Sequence, residues 1–253
     1  MPALRSAAAH AFVADLASPQ LKEEDRHHLE RVLRLRPGQV VTVADGAGGW
    51  RCCAWRAGGE LEPAGDVSAA PGLWPPVTVG FALTKGERPD WAVQKLTEVG
   101  VDRILCLVTA RSVVRPDADA VDRRLQRWRR VAREAAMQSR RTVLPEVVGV
   151  LGVADVVGDV VADVVADVVA DVADGPGPGG FAAALAEPGG WPPSLDRPVV
   201  LVGPEGGWAP EELASGLPTV ALGPGVLRTE SAAVAAGVLL CSLRAGLVGE
   251  KHH

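Results

Sequence analysis

The sequence predicts an α/β protein in which a mostly parallel sheet, within residues 75–249, follows a small β-rich module within residues 1–74. Three observations carry this. From Val77 onward, short apolar runs alternate with stretches of helical period, the pattern of strands joined by crossover helices and covered on both faces. Before that point, strand-like and turn-like segments dominate until Trp74-Pro75-Pro76 interrupts the chain. Near the end, two apolar runs each lead into a glycine-rich turn and then a helix.

In the N-terminal module, Glu23 to Leu33 predicts a short helix that stops before Arg36-Pro37-Gly38. Val40–Val43 reads as a strand, Asp45–Gly49 as a turn, and Trp50–Trp55 as the returning strand. In the second part, Val77–Leu83 predicts a strand. Pro89 opens a helix running to Val99, and Gly100 stands where a left-handed residue ends it. Ile104–Val108 is a further buried strand. A long helix follows over Ala118–Ser139, with Val121, Leu125, Trp128, Ala132 and Ala135 on one face and Arg123, Arg127 and Arg130 on another. Strands are expected at Ala182–Ala186, Val199–Val202 and Thr219–Leu222, and helices at Pro210–Ser215 and Ser231–Leu243. Between Asp155 and Asp174 an aspartate recurs with valine pairs between. A spacing of four drifts around a helix, and valine forms helices poorly, so an irregular helix is expected there. The Gly175–Gly180 segment would close it as a linker.

Composition narrows the function. Nearly half of the 253 residues, 47%, are hydrophobic, enough for a packed core. No apolar run reaches the roughly 18 residues that cross a bilayer. The N-terminal stretch lacks the pattern of a secretion leader, so a cytoplasmic protein is expected. The four cysteines form no metal-binding or disulfide spacing, which predicts inert thiols and no metal site. The net charge of −5 argues against a nucleic-acid partner. Its distribution argues the other way, because eleven arginines and no lysine lie between Arg103 and Arg141 against four acids. Arginine can clamp phosphate and stack on bases, so this patch favours RNA.

Several catalytic signatures are excluded. Gly175, Gly177 and Gly180 spell a dinucleotide-binding pattern, but Pro176 and Pro178 remove backbone donors and no strong strand precedes it. No glycine loop is followed by Lys-Ser or Lys-Thr, and no Gly-x-Ser-x-Gly elbow is present. The informative segments lie later. Pro198–Val202 leads into Gly203-Pro204-Glu205-Gly206-Gly207-Trp208, and Thr219–Leu222 leads into Gly223-Pro224-Gly225-Val226-Leu227-Arg228-Thr229-Glu230. In parallel sheets ligands bind at the carboxyl ends of strands, where such turns gather. Glycine lets the backbone approach a flat ligand and offer it N–H and C=O groups.

Together these turns resemble the cofactor signature of the RsmE family of 16S ribosomal RNA uracil-N3 methyltransferases, in the SPOUT superfamily. The likeness extends to His28-x-x-x-Val32-Leu33-Arg34 and Asp45-Gly46, to Lys85-Gly86-Glu87-Arg88 with Gln94-Lys95, to Arg111-Ser112-Val113-Val114, and to Trp128, Glu134-Ala135 and Arg141. Ala110, Met137, Gly225 and Ser231 depart from the usual pattern. The resemblance implies a C-terminal trefoil-knot domain after a PUA-like β-barrel, S-adenosylmethionine as cofactor, 16S rRNA or the small ribosomal subunit as partner, and a homodimer. It implies cofactor contacts from Val202, Gly203, Glu205, Gly207, Leu222, Gly223, Leu227, Thr229 and Ala232. Phosphate contacts fall to Arg34, Arg123, Arg127, Arg130 and Arg141. Arg228 is the first candidate to stabilise charge on the uracil carbonyls, with Arg111 and Arg115 as alternatives. Glu230 could act as base or could cap the last helix. A methyltransferase acting on a ribose 2′-hydroxyl, and a non-catalytic RNA-binding protein of the same fold, stay open at this point.

Overall fold

A computed structural model of the chain describes residues 2–153, 156 and 183–249. The Gly175–Gly180 linker and all of the Asp155–Asp174 repeat except Val156 lie outside the described residues. The rest falls into two compact units, one within Met1–Gly72 and Arg133–Leu144, the other within Leu73–Ala132 and Pro145–His253.

The first unit is a small β domain. It begins with a single helical turn, α1 (Pro2–Ser6), and strand β1 (Ala9–Phe12). Helix α2 (Glu23–His27) continues as a π-helical turn over His28–Val32, close to the expected Glu23–Leu33. Strands β2 (Val40–Ala44), β3 (Gly49–Trp55) and β4 (Leu61–Ala69) complete a sheet in the order β1-β2-β3-β4, with β1 parallel to β2 and the others antiparallel. Leu29, Val41, Val43, Cys53 and Trp55 form its core. The Asp45 carboxylate shapes the β2–β3 turn by accepting from the N–H groups of Ala47 (2.7 Å) and Gly49 (3.0 Å).

Two strands here were not anticipated. All four residues of β1, Ala-His-Ala-Phe, are buried, so no alternation announces it. Strand β4 contains Pro63 and Gly65, which speak against a strand. Its place at the sheet edge is where a missing ladder donor is tolerated.

The second unit is the α/β domain. Its strands are β5 (Thr78–Ala82), β6 (Arg103–Leu107), β7 (Glu146–Leu151), β8 (Ala183–Trp191), β9 (Val199–Val202) and β10 (Thr219–Val220). They pair in parallel throughout, in the order β10-β8-β9-β5-β6-β7. The chain builds outward from β5 to β7 at one edge, then crosses to the other side of β5. This places the carboxyl ends of β8, β9 and β10 side by side. Strand β7 went unanticipated although its valine run was legible. Strand β8 runs on past the expected Ala186 to Trp191, and β10 is shorter than expected.

Helices α3 (Arg88–Val99), α4 (Ala118–Ser139), α5 (Pro210–Leu213) and α6 (Thr229–Arg244) complete the fold. Gly100 ends α3 with φ 105°, as its position suggested. Leu125, Trp128 and Ala132 of α4 are buried, while Arg123, Arg127 and Arg130 are exposed. Helix α6 seats against α3 because Gly237 has no side chain: a Cβ there would lie 2.9 Å from Leu96 Cδ2 and 3.0 Å from Val101 Cγ2. At its end, Arg244 forms an ion pair with Asp102 and donates to the carbonyls of Gly100 (2.8 Å) and Pro75 (3.1 Å).

Candidate active site

Strand β9 delivers its residues straight into the turn 203–208. Gly207, with φ 69°, adopts the left-handed conformation that reverses the chain, and its N–H donates to Pro204 O at 2.9 Å. Gly203 lies against the Trp208 indole so closely that a Cβ would sit 3.1 Å from Cε2. That indole is buried, and its Nε1 donates to Ala186 O on β8 at 3.0 Å. The second turn, after β10, runs into α6. Its link to the first is Thr229, buried at the start of α6, whose hydroxyl donates to Gly203 O at 3.0 Å.

The two turns enclose a cleft of about 220 Å³. All nine residues proposed for cofactor contact lie on its wall. Trp208, Pro204, Gly225 and Val226 join them, and the middle of β8 supplies Ala186, Glu187 and Pro188 as a third wall. That third wall was missed. Glu187-Pro188-Gly189-Gly190 is another glycine-rich stretch after an apolar run, which was the available signal.

Charged residues surround rather than fill the cleft. Arg88, at the start of α3, donates from Nη1 to Glu205 Oε1 at 3.3 Å, and its Nε lies 3.6 Å from Glu230 Oε1. It thus bridges the acids of both turns, although sequence reasoning had given it no role in the site. The Glu230 side chain is only 14% exposed, and its second oxygen, Oε2, is buried without a hydrogen-bond partner. Neither Glu230 nor Arg228 lies on the cavity wall; they flank Thr229, which does. Arg228 is exposed at the N-cap of α6.

The loop after β6 braces the first turn. Arg111 Nη1 donates to Gly206 O at 2.8 Å, and Arg115 Nη2 donates to Ala110 O at 2.9 Å. Glu212 joins this loop to α5 by accepting from the N–H groups of Ala110 and Ala209.

The remaining arginines scatter. Arg127 pairs with Asp90, whose other oxygen accepts from Trp128 Nε1 at 2.9 Å. Arg123 and Arg130 are exposed on α4. Arg34 and Arg141 belong to the first unit. Arg34 is exposed with φ 52°, and the carbonyl of Arg141 accepts from His10 Nε2 at 2.8 Å. Burial pushes the Cys106 thiol far up and that of Cys53 to about 11, so both stay protonated at neutral pH. Among the described residues no group of His, Cys, Asp or Glu could hold a metal ion, and no helix is long and apolar enough to cross a membrane.

Comparison with known proteins bears on this site. A family profile described as an RNA methyltransferase domain matches residues 73–240, and one described as an RNA methyltransferase PUA domain matches residues 21–53. The chain is 38% identical over 229 residues to ribosomal RNA small subunit methyltransferase E of Mycobacterium bovis, covering 84% of this chain and 82% of that one. It is 30% identical over 248 residues to the protein of the same name from Bacillus subtilis, covering 87% and 91%. Among solved structures, ribosomal RNA small subunit methyltransferase E from Neisseria gonorrhoeae, bound to S-adenosyl methionine, superposes with a TM-score of 0.71 at 25% identity, covering 93% of this chain and 97% of that one.

Proposed function

The chain belongs to the ribosomal RNA small subunit methyltransferase E family, and we propose that it transfers a methyl group from S-adenosylmethionine to N3 of a uracil in 16S ribosomal RNA. One observation carries the assignment: the two glycine turns and the middle of β8 enclose a single cleft. Its wall suits this cofactor. Val202, Leu222, Leu227 and Ala232 offer apolar contact for a purine, and the turns bring backbone groups within reach of polar edges. Among the described residues the charged side chains on the wall are both acids, which matches a ligand of net positive charge. When bound, the cofactor supplies an activated methyl group on a sulfonium.

The protein's own residues supply position and proton handling. Uracil N3 carries a proton at neutral pH and takes part in pairing, so the target base must be unpaired to react. Glu230 is the proposed base for that proton: it adjoins Thr229 of the cleft wall, its Oε2 has no hydrogen-bond partner, and Arg88 lies against the other carboxylate oxygen. Arg111 and Arg115 each hold a loop carbonyl. Arg228, exposed beside the cleft, is therefore the better cation to stabilise charge on the uracil carbonyls.

Residues 1–74 form the RNA-binding module and 75–249 the catalytic domain in this reading, with exposed Arg34, Arg123 and Arg130 contacting phosphate. The enzyme works in the cytoplasm as a homodimer; exposed Trp91 on α3 and Val238 on α6 suit a second copy, which sedimentation would detect. The central test is mass spectrometry of nucleosides after reaction of the protein with small subunits and labelled cofactor. The expected product is 3-methyluridine. Label on a ribose 2′-oxygen would overturn the assignment, and absence of label would favour a binding protein. In cells, the reverse-transcription stop caused by N3 methylation should vanish when the gene is deleted.

A further inference from the structure

We infer that Glu187 is the residue by which this cleft tells the charged methyl donor from the spent product. The inference deepens the reading of the cleft as an S-adenosylmethionine site and rests on it. Among the described residues two carboxylates, Glu187 and Glu205, border the cavity, and no Lys, Arg or His is on its wall. The two acids are not equivalent. Glu205 accepts from Arg88, so a guanidinium already offsets its charge. Glu187 is half-buried at the middle of β8, between Ala186, whose carbonyl holds the Trp208 indole, and Pro188. Among the described residues its carboxylate has neither a hydrogen bond nor an ion pair.

An acid left unpaired in a partly enclosed pocket favours a ligand that brings positive charge. In methyl transfer to N3 the carbon–sulfur bond breaks with its electron pair left on sulfur. The methyl group bonds to nitrogen, and the N3 proton leaves to a base. Donor and product therefore share adenine, ribose, ammonium and carboxylate. They differ in the methyl group and in the positive charge on sulfur. Backbone groups that recognise the shared parts hold both compounds alike. Separation of the two by charge needs a charged side chain on the wall that no cation of the protein already neutralises, and Glu187 meets that description. Its consequence is turnover: the donor is favoured on entry, and the product loses that attraction once the methyl group has gone.

Isothermal titration of the full-length protein and its Glu187→Gln variant with S-adenosylmethionine and S-adenosylhomocysteine tests this. Gln keeps the side-chain volume and removes the charge. Donor affinity should fall about tenfold while product affinity changes by less than about twofold, since the two ligands differ by one unit charge in a small cleft. A parallel loss for both ligands would assign Glu187 to a shared group and overturn the inference, as would no change for either. In the unaltered protein, added salt should weaken the donor more than the product, and equal salt dependence would count against the idea without relying on any variant. If the unaltered protein bound neither compound, the cofactor reading itself would fall.

Discussion

Arg133 and His10 in the first unit and the acids Glu230 and Glu187 around the cleft are treated in opposite ways. In the first unit Arg133 is matched on every side. It donates to both oxygens of Asp25 at 2.9 and 2.6 Å and to Phe12 O at 3.3 Å, and it lies 5.9 Å from the Phe12 ring centroid. His10 is matched as well, since a carbonyl can only accept: Nε2 donates to Arg141 O, which leaves Nδ1 to accept from the Thr42 hydroxyl at 2.9 Å. Around the cleft, Glu230 keeps a buried oxygen without a partner, and the Glu187 carboxylate stands alone among the described residues. Burying a polar group without a partner is costly. Buried nitrogens without a partner also occur in the first unit, at Trp50 Nε1 and Arg51 Nε; what sets the cleft apart is that its open groups are acids, acceptors beside a cavity that a cationic ligand can enter. The comparison predicts that substitutions in the first unit act on stability and those at the cleft act on activity.

The largest effect expected is from Arg133→Ala. It strands the carboxylate of Asp25, a buried residue, and should cost roughly 3 kcal/mol in denaturant unfolding, within the range for breaking a buried pair. Cofactor affinity of the folded fraction should be unchanged. A variant that kept its stability would mean that the pair is not the structural element described here. Glu230→Gln should do the reverse. Loss of the base should lower kcat about a hundredfold, with S-adenosylmethionine affinity and melting temperature close to the unaltered protein. A kcat within twofold would reassign Glu230 to the helix terminus alone.

His10 sharpens the comparison through pH. Burial is the main cause that pushes its pKa from the ordinary 6.5 to about 4, with the nearby Arg140 adding to the fall and the hydrogen bond to Arg141 O opposing it. Between those values the unfolded chain binds the proton that the folded chain refuses, so stability falls as pH falls. At its steepest this single group contributes a slope of about 1.4 kcal/mol per pH unit. The contribution is complete above 6.5 and lost below about 4. Denaturant unfolding of the protein and of His10→Gln across that window should show the slope flattened in the variant, while the cleft variant Glu230→Gln keeps it.

Legibility in the sequence followed the same division. Helix α4 and the two glycine turns are local strings, and the turn residues reached the cleft wall because a strand, a turn and a helix start are encoded within a few neighbouring positions. Arg88 was not legible as part of the site, since it meets Glu205 across a separation of 117 residues. Glu187 depends on β8 pairing between β9 and β10, an order no local pattern states. The arginine run misled in part. It suggested a phosphate-gripping face, yet Arg127 and Arg133 are committed to Asp90 and Asp25, and charge counted along a chain does not reveal which partners folding supplies.

The smallest expected effect lies where the two regimes meet in one residue. Thr229 is buried, and its hydroxyl makes a satisfied bond to Gly203 O, yet it stands on the cleft wall and joins the two turns. Thr229→Val keeps the shape and removes the donor. The Gly203 carbonyl then loses this partner, which should cost about 1 kcal/mol of stability. If the bond served stability alone, cofactor affinity would follow unchanged. Because it fixes the spacing of both turns around the cleft, S-adenosylmethionine affinity should weaken as well, by about threefold to tenfold, since a misplaced wall loses contacts from both sides. Titration and unfolding of the same variant decide it: a loss of stability with unaltered affinity would place Thr229 with the polar groups of the first unit.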